Sequence, residues 1–137
     1  MVLGFPVSSV LLYAIVAAAI LIYVPYGVSV FSRANTNFDM GAPRAVFDQL
    51  PPYGKRAIWA HQNAFETFMV FAAAALMAYV TQQTSPLVGW AAIAFVVARL
   101  FYPVFYILDL PIGRSLMFGT GTTCIMILFI KSLQSLA

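Results

Sequence analysis

Four apolar stretches, over 7–31, 53–80, 86–108 and 112–133, leave this chain little choice of fold. Each is long enough for a helix to cross a bilayer core of about 30 Å, which takes about 20 residues. The connections over 81–85 and 109–113 are short, so consecutive helices must lie antiparallel and side by side. Composition agrees: 63% of residues are apolar and only 8% charged, against about a quarter charged in a soluble domain. The expected fold is an all-α integral membrane four-helix bundle of up-down topology, one domain over 1–137.

The first stretch is too long for the apolar core of a signal peptide and no Lys or Arg precedes it, so it reads as a membrane helix. Pro25 should kink it near its end, and Tyr23 and Tyr26 suit a membrane–water interface. The long first loop, over 32–52, is rich in breakers (Asn35, Asn37, Gly41, Pro43, Pro51 and Pro52) and should be mostly irregular. Within it, 42–50 could form a short interfacial helix with Val46, Phe47 and Leu50 toward the membrane. Loops one and three carry Arg33, Arg44, Lys55, Arg56 and Arg114, whereas the opposite side has only Lys131. The positive-inside rule therefore places loops one and three in the cytoplasm, with both termini on the far side.

Several function classes are excluded. The basic residues are few and scattered at span ends, so the net charge of +3 is no nucleic-acid footprint. Cys124 is the one cysteine, which rules out an intrachain disulfide and a cysteine metal site. His61 is likewise alone, so it is expected to donate a hydrogen bond across a helix interface and not to bind a metal.

What remains unexplained is polarity where lipid should be. Arg56, His61, Asn63 and Glu66 run into the second apolar stretch, and Arg99 lies inside the third. Ionisable groups in a membrane helix are costly and usually face a bundle interior. Counted from the loop-one surface at 1.5 Å per residue, Glu66 lies roughly 16 Å deep and Arg99 about 14 Å, so the two charges are level and an ion pair is expected. Such a pair could equally be architectural. Arg99, Tyr102 and Tyr106 share one helix face and rise toward the surface, where Arg114 begins the fourth helix. With Arg56, Trp59, Asn63 and Glu66 opposite, taken as one face of the second helix, they should line a cleft rich in cations and phenols, suited to an anion. Tyr106 alone could be an interfacial belt residue, and Arg56 and Arg114 could mark topology only.

Arg56, Ala60, His61, Asn63 and Glu66, followed by Arg99, Tyr102 and Tyr106 at a spacing of seven, resemble the MAPEG family, the membrane-associated proteins of eicosanoid and glutathione metabolism. Pro111 to Ser115 resembles the start of the family's fourth helix. The resemblance covers essentially the whole chain and points to a bacterial-type member in an inner or thylakoid-type membrane. It implies a homotrimer with sites between subunits, and glutathione as cosubstrate. Arg56, Asn63 and Glu66 would contact glutathione from one subunit, Arg99, Tyr102 and Tyr106 would contribute from its neighbour or support the site, and Arg114 would be catalytic, stabilising the thiolate. The sequence departs from the family's glutathione enzymes at Trp59, where they typically carry a second arginine. The loop before Arg114 is also one residue shorter than in the family's prostaglandin-synthase pattern.

Three readings follow. The first is a glutathione-dependent membrane transferase or peroxidase acting on lipophilic electrophiles or hydroperoxides. The second is a non-catalytic, lipid-binding member or a partner subunit of a larger membrane assembly. The third is a small four-helix transporter built on the Glu66 carboxylate.

Overall fold

The computed structural model describes residues 1–34, 36–37 and 39–136; Asn35 of loop one lies outside them. Its helices are α1 (Val7–Leu21), α2 (Tyr23–Ser32), α3 (Pro52–Val80), α4 (Pro86–Ile107) and α5 (Pro111–Gln134). Among the described residues there is no strand, only an isolated bridge between Val2 and Phe5. α1 and α2 form one span, Val7–Ser32, and the four spans are all long and apolar enough to cross a membrane. Their limits fall within a residue of those expected.

Proline sets three of the four starts. Pro52, Pro86 and Pro111 each open a helix, where a missing N–H costs nothing and the fixed φ is already helical. Two of the ends share a device. Asp109 and Gln82 adopt left-handed φ of 61° and 54°. The next residue's N–H then reaches back five positions, from Leu110 to Phe105 O at 2.8 Å and from Gln83 to Ala78 O at 3.0 Å. This is the Schellman closure, and it turns the chain within a few residues. The short loops are therefore helix caps that lead directly into the next proline.

Pro25 has the expected effect on the first span. It offers no N–H to the carbonyl of Leu21, and the helix is interrupted at Ile22. His61 on α3 reinforces that weak point: its Nδ1 lies 2.9 Å from Ile22 O, and since a carbonyl can only accept, Nδ1 carries the proton. The ring of Tyr26 lies 5.3 Å from the imidazole, centroid to centroid, so His61 does bridge two helices as expected.

α4 is the most buried span and packs most extensively on α5, with α1 and α3 also against it. The core is built from small residues, Ala74, Ala75, Ala78, Ala91 and Ala92, around Phe71 and Phe95, whose rings stack at 3.8 Å. Close approach is sharpest where α3 begins. A Cβ on Gly54 would lie 2.5 Å from Ser32 Oγ and 2.7 Å from Ser32 Cβ, so the first turn of α3 can sit against the end of α2 only as glycine.

Loop one departs from the expected interfacial helix. A single 3-10 turn forms over Phe47–Gln49. Val46 and Leu50 are buried in the protein and do not face lipid, because the loop folds back against α2 and α3.

Gly54→Ala should lower stability by about 1–3 kcal/mol through overpacking, whereas Gly27→Ala, with open space around it, should be neutral or mildly stabilising. Thermal unfolding in detergent checks both, and equal effects would reject the close-packing account.

Candidate functional site

A helix advances about 100° per residue, which divides the polar residues of α3 into two stripes. Arg56 and Asn63, seven apart, stay nearly in line. Trp59 and Glu66 are also seven apart, but Glu66 is rotated by about 60° from Asn63. The first stripe turns toward α4 and α5, and the second turns outward beneath loop one.

On the inner side, Arg99 of α4 is only 6% exposed. Its Nη2 donates to Asn63 Oδ1 at 2.9 Å, and its guanidinium carbon lies 4.2 Å from the centroid of the Tyr102 ring. Tyr102 meets Tyr106 edge-on at 5.6 Å, and Arg114 of α5 places its guanidinium 4.7 Å from the Tyr106 ring. Asn63, Arg99, Tyr102, Tyr106 and Arg114 thus form one unbroken file from the bundle interior to the loop-one end. The expected stripe on the third span is present, and Tyr106 is its outer member, linking it to Arg114. Gly113 allows the last link: a Cβ there would lie 2.8 Å from the Phe105 ring, so α5 can start close against α4 with Arg114 above Tyr106.

The file opens into a cleft of 310 Å³ lined by Lys55, Arg56, Trp59, Tyr106, Asp109 and Arg114, among others. Three of those side chains are cations and one is an acid. Arg56 is partly committed: its Nε donates to Ile107 O at 3.0 Å, capping one of the carbonyls left free at the end of α4. Its Nη1 lies 3.6 Å from Asp109 Oδ2, an exposed pair worth less than about 1 kcal/mol.

Two expectations need correction. Arg99 and Glu66 do not form an ion pair; the arginine's partners are a neutral amide and an aromatic face. Nor does Glu66 line the cationic cleft. It is exposed on the outer stripe and makes no hydrogen bond or ion pair among the described residues. Equal depth is not equal azimuth, and the rotation between Asn63 and Glu66 separates them.

Glu66 instead borders a larger cavity of 690 Å³ between α2, α3 and loop one, together with Arg33, Arg44, Phe47, Trp59 and Phe65. Trp59 is 44% exposed and contacts the Phe47 ring at 6.0 Å. Among the described residues it is the one side chain that lines both this cavity and the cationic cleft.

Two contributors went unnoticed in the sequence. Asp109 supplies the cleft's acid, and an acidic residue in a three-residue turn between α4 and α5 was a readable signal. Pro103, inside α4, leaves the carbonyl of Arg99 without its helical donor, so backbone polarity accompanies the buried charge.

Replacing Asn63 by Leu should cost about 1.5–3 kcal/mol, the range for a hydrogen bond to a charged group. In a cycle with Arg99→Met, the double variant should lose at least about 1 kcal/mol less than the two single losses combined. Denaturant unfolding in mixed micelles reads this, and additivity would show that the two side chains act separately.

No curated protein and no solved structure matches this sequence. A family model, that of the MAPEG family, matches residues 10–134, nearly the whole chain. With four apolar membrane-length helices in an up-down bundle, this chain is an integral multi-pass membrane protein and belongs to the MAPEG family.

Proposed function

We propose that the protein is a glutathione-dependent membrane transferase or peroxidase acting on lipophilic electrophiles or hydroperoxides. Family membership supports a glutathione-related function at the family level. The observation that carries the specific reading is Arg99, a cation buried at 6% exposure with no carboxylate on it, joined through two phenols to Arg114 at a cleft holding two more cations. A buried charge without a counter-charge is costly, and a bound anion would offset that cost.

Glutathione suits such a cleft because it has two carboxylates and a thiol that ionises. A free thiol has a pKa near 8.5, and a neighbouring guanidinium lowers it, raising the nucleophilic anion at neutral pH. Arg114 takes that role, with Tyr106 holding its guanidinium in place. Arg56 meets a carboxylate in exchange for Asp109, and Asn63, Arg99 and Tyr102 close the inner end. The thiolate sulfur then attacks an electrophilic carbon, displacing its leaving group as an anion or opening an activated double bond whose carbanion takes up a proton, or it attacks the terminal oxygen of a hydroperoxide with loss of an alkoxide that takes up a proton. Glu66 faces outward and would reach the ligand's ammonium only across a subunit boundary, which supports a homotrimer with shared sites. Loops one and three lie in the cytoplasm in this reading.

A second reading, a non-catalytic lipid-binding or partner subunit, is favoured by Trp59. A neutral indole at the cleft wall lacks the fork with which arginine grips a carboxylate.

Glutathione at millimolar concentration should give thiolate absorbance on detergent-purified protein, and Arg114→Ala should abolish it. Trp59→Arg should tighten glutathione binding by about tenfold, or about 1.4 kcal/mol. The absence of any thiolate signal from the wild-type protein would overturn the enzyme reading.

A further inference from the structure

We infer that a cavity of 520 Å³ at the loop-two end of the bundle binds an uncharged, polyhydroxylated ring, a sugar of the hexose type. The cavity is remote from the cationic cleft. Trp59 and Tyr79, on the same helix, are separated by about 30 Å at the helical rise per residue. The inference therefore rests on neither functional reading above. The volume falls within the range of about 300–1,000 Å³ typical of small-molecule pockets.

Both walls are held firmly. Val2 and Phe5 exchange two backbone hydrogen bonds, of 2.8 and 2.9 Å, and Val2 is buried against Gly89. A Cβ on Gly89 would lie 2.8 Å from Val2 Cγ2, so glycine is what admits the valine. That anchor fixes the start of α1, where Val7 and Ser8 line the cavity. Across from them, the end of α3 is closed by the Gln83 N–H on Ala78 O. The Gln83 side chain is tied as well. Its Nε2 donates to Ser135 Oγ at 2.8 Å and to Thr81 Oγ1 at 3.3 Å, which leaves Oε1 as a positioned acceptor.

The polar lining is neutral and uncommitted. Ser8, Tyr79, Gln82 and Thr84 make no side-chain hydrogen bond among the described residues. α1 also begins without a side-chain cap, so its first-turn N–H groups add donors beside Ser8. No lining side chain is a cation or a carboxylate, so nothing there offsets the cost of taking a charged head out of water. Hydroxyls, which donate and accept at once, satisfy such a mixed set best. Tyr79 and Val80, both exposed, supply the apolar surface that the C–H face of a sugar ring needs. The ring could be a free sugar or the head of a neutral glycolipid. Both present the same hydroxyls.

Native mass spectrometry in a polyoxyethylene detergent, which carries no sugar, reads the site directly. Glucosyl diacylglycerol should bind saturably and at least about tenfold tighter than diacylglycerol with the same acyl chains. Tyr79→Ala and Ser8→Ala change exposed side chains, and each should weaken that binding by about threefold to tenfold. Neither should alter the thiolate signal given by glutathione, so loss of this site and loss of the enzyme reading are scored separately. Saturation-transfer NMR with methyl glucoside tells the two sources apart. Saturation by methyl glucoside identifies a free sugar, saturation by the glycolipid alone identifies a headgroup, and either supports the site. No saturable binding of either probe, equal binding of plain diacylglycerol, tighter binding of anionic phosphatidylglycerol, or no effect of both substitutions would overturn it.

Discussion

A guanidinium held inside an apolar bundle by one amide oxygen and one aromatic face organises much of this molecule. Arg99 cannot snorkel to the surface, because Tyr102 and Tyr106 occupy the path above it. It must therefore be met where it lies, and Asn63 on α3 meets it. That bond fixes the rotation of α3 against α4, and the rotation decides everything on α3's two stripes. Arg56 is delivered to the end of α4 and to Asp109, while Glu66 is carried round to the outside. At a similar depth His61 holds the interrupted first span through Ile22. The polar residues thus form a layer of cross-helix ties near the loop-one half of the bundle, and the other half is close-packed alanine and phenylalanine.

The spans were legible because their signals are local and redundant: apolar length, and prolines at three starts. The stripe Arg99–Tyr102–Tyr106 was legible for the same reason, since spacing on one helix fixes a shared face. What could not be read was the pairing between helices. Depth can be counted along a chain, but azimuth depends on which face a neighbour covers. The difference between Asn63 and Glu66 as partner of Arg99 is one of azimuth alone. Loop one was misread as a surface helix because Val46 and Leu50 look lipid-seeking, yet a loop of that length can fold back and bury them in protein.

Trp59 gains a different meaning from its position between two chambers. In sequence it is a gap in a pattern of arginines. In the fold it is a shared wall, with Lys55, Arg56, Tyr106, Asp109 and Arg114 around one cavity and Arg33, Arg44, Phe47 and Glu66 around the other. A small bundle with little interior space can keep two such cavities apart only if one side chain is broad enough to separate them. An indole is the broadest available.

Asp109 carries a consequence of its own. It ends α4 in a left-handed conformation that glycine would adopt at no steric cost, and it also places a carboxylate beside Arg56. Backbone comfort and local charge therefore pull in opposite directions at a single position. Glycine there would relax the turn and release Arg56 into the cleft together, so thermal robustness and anion attraction would both rise. Stabilisation and function usually compete at such sites. Here turn geometry and anion attraction lie on the same side, and the acid restrains both.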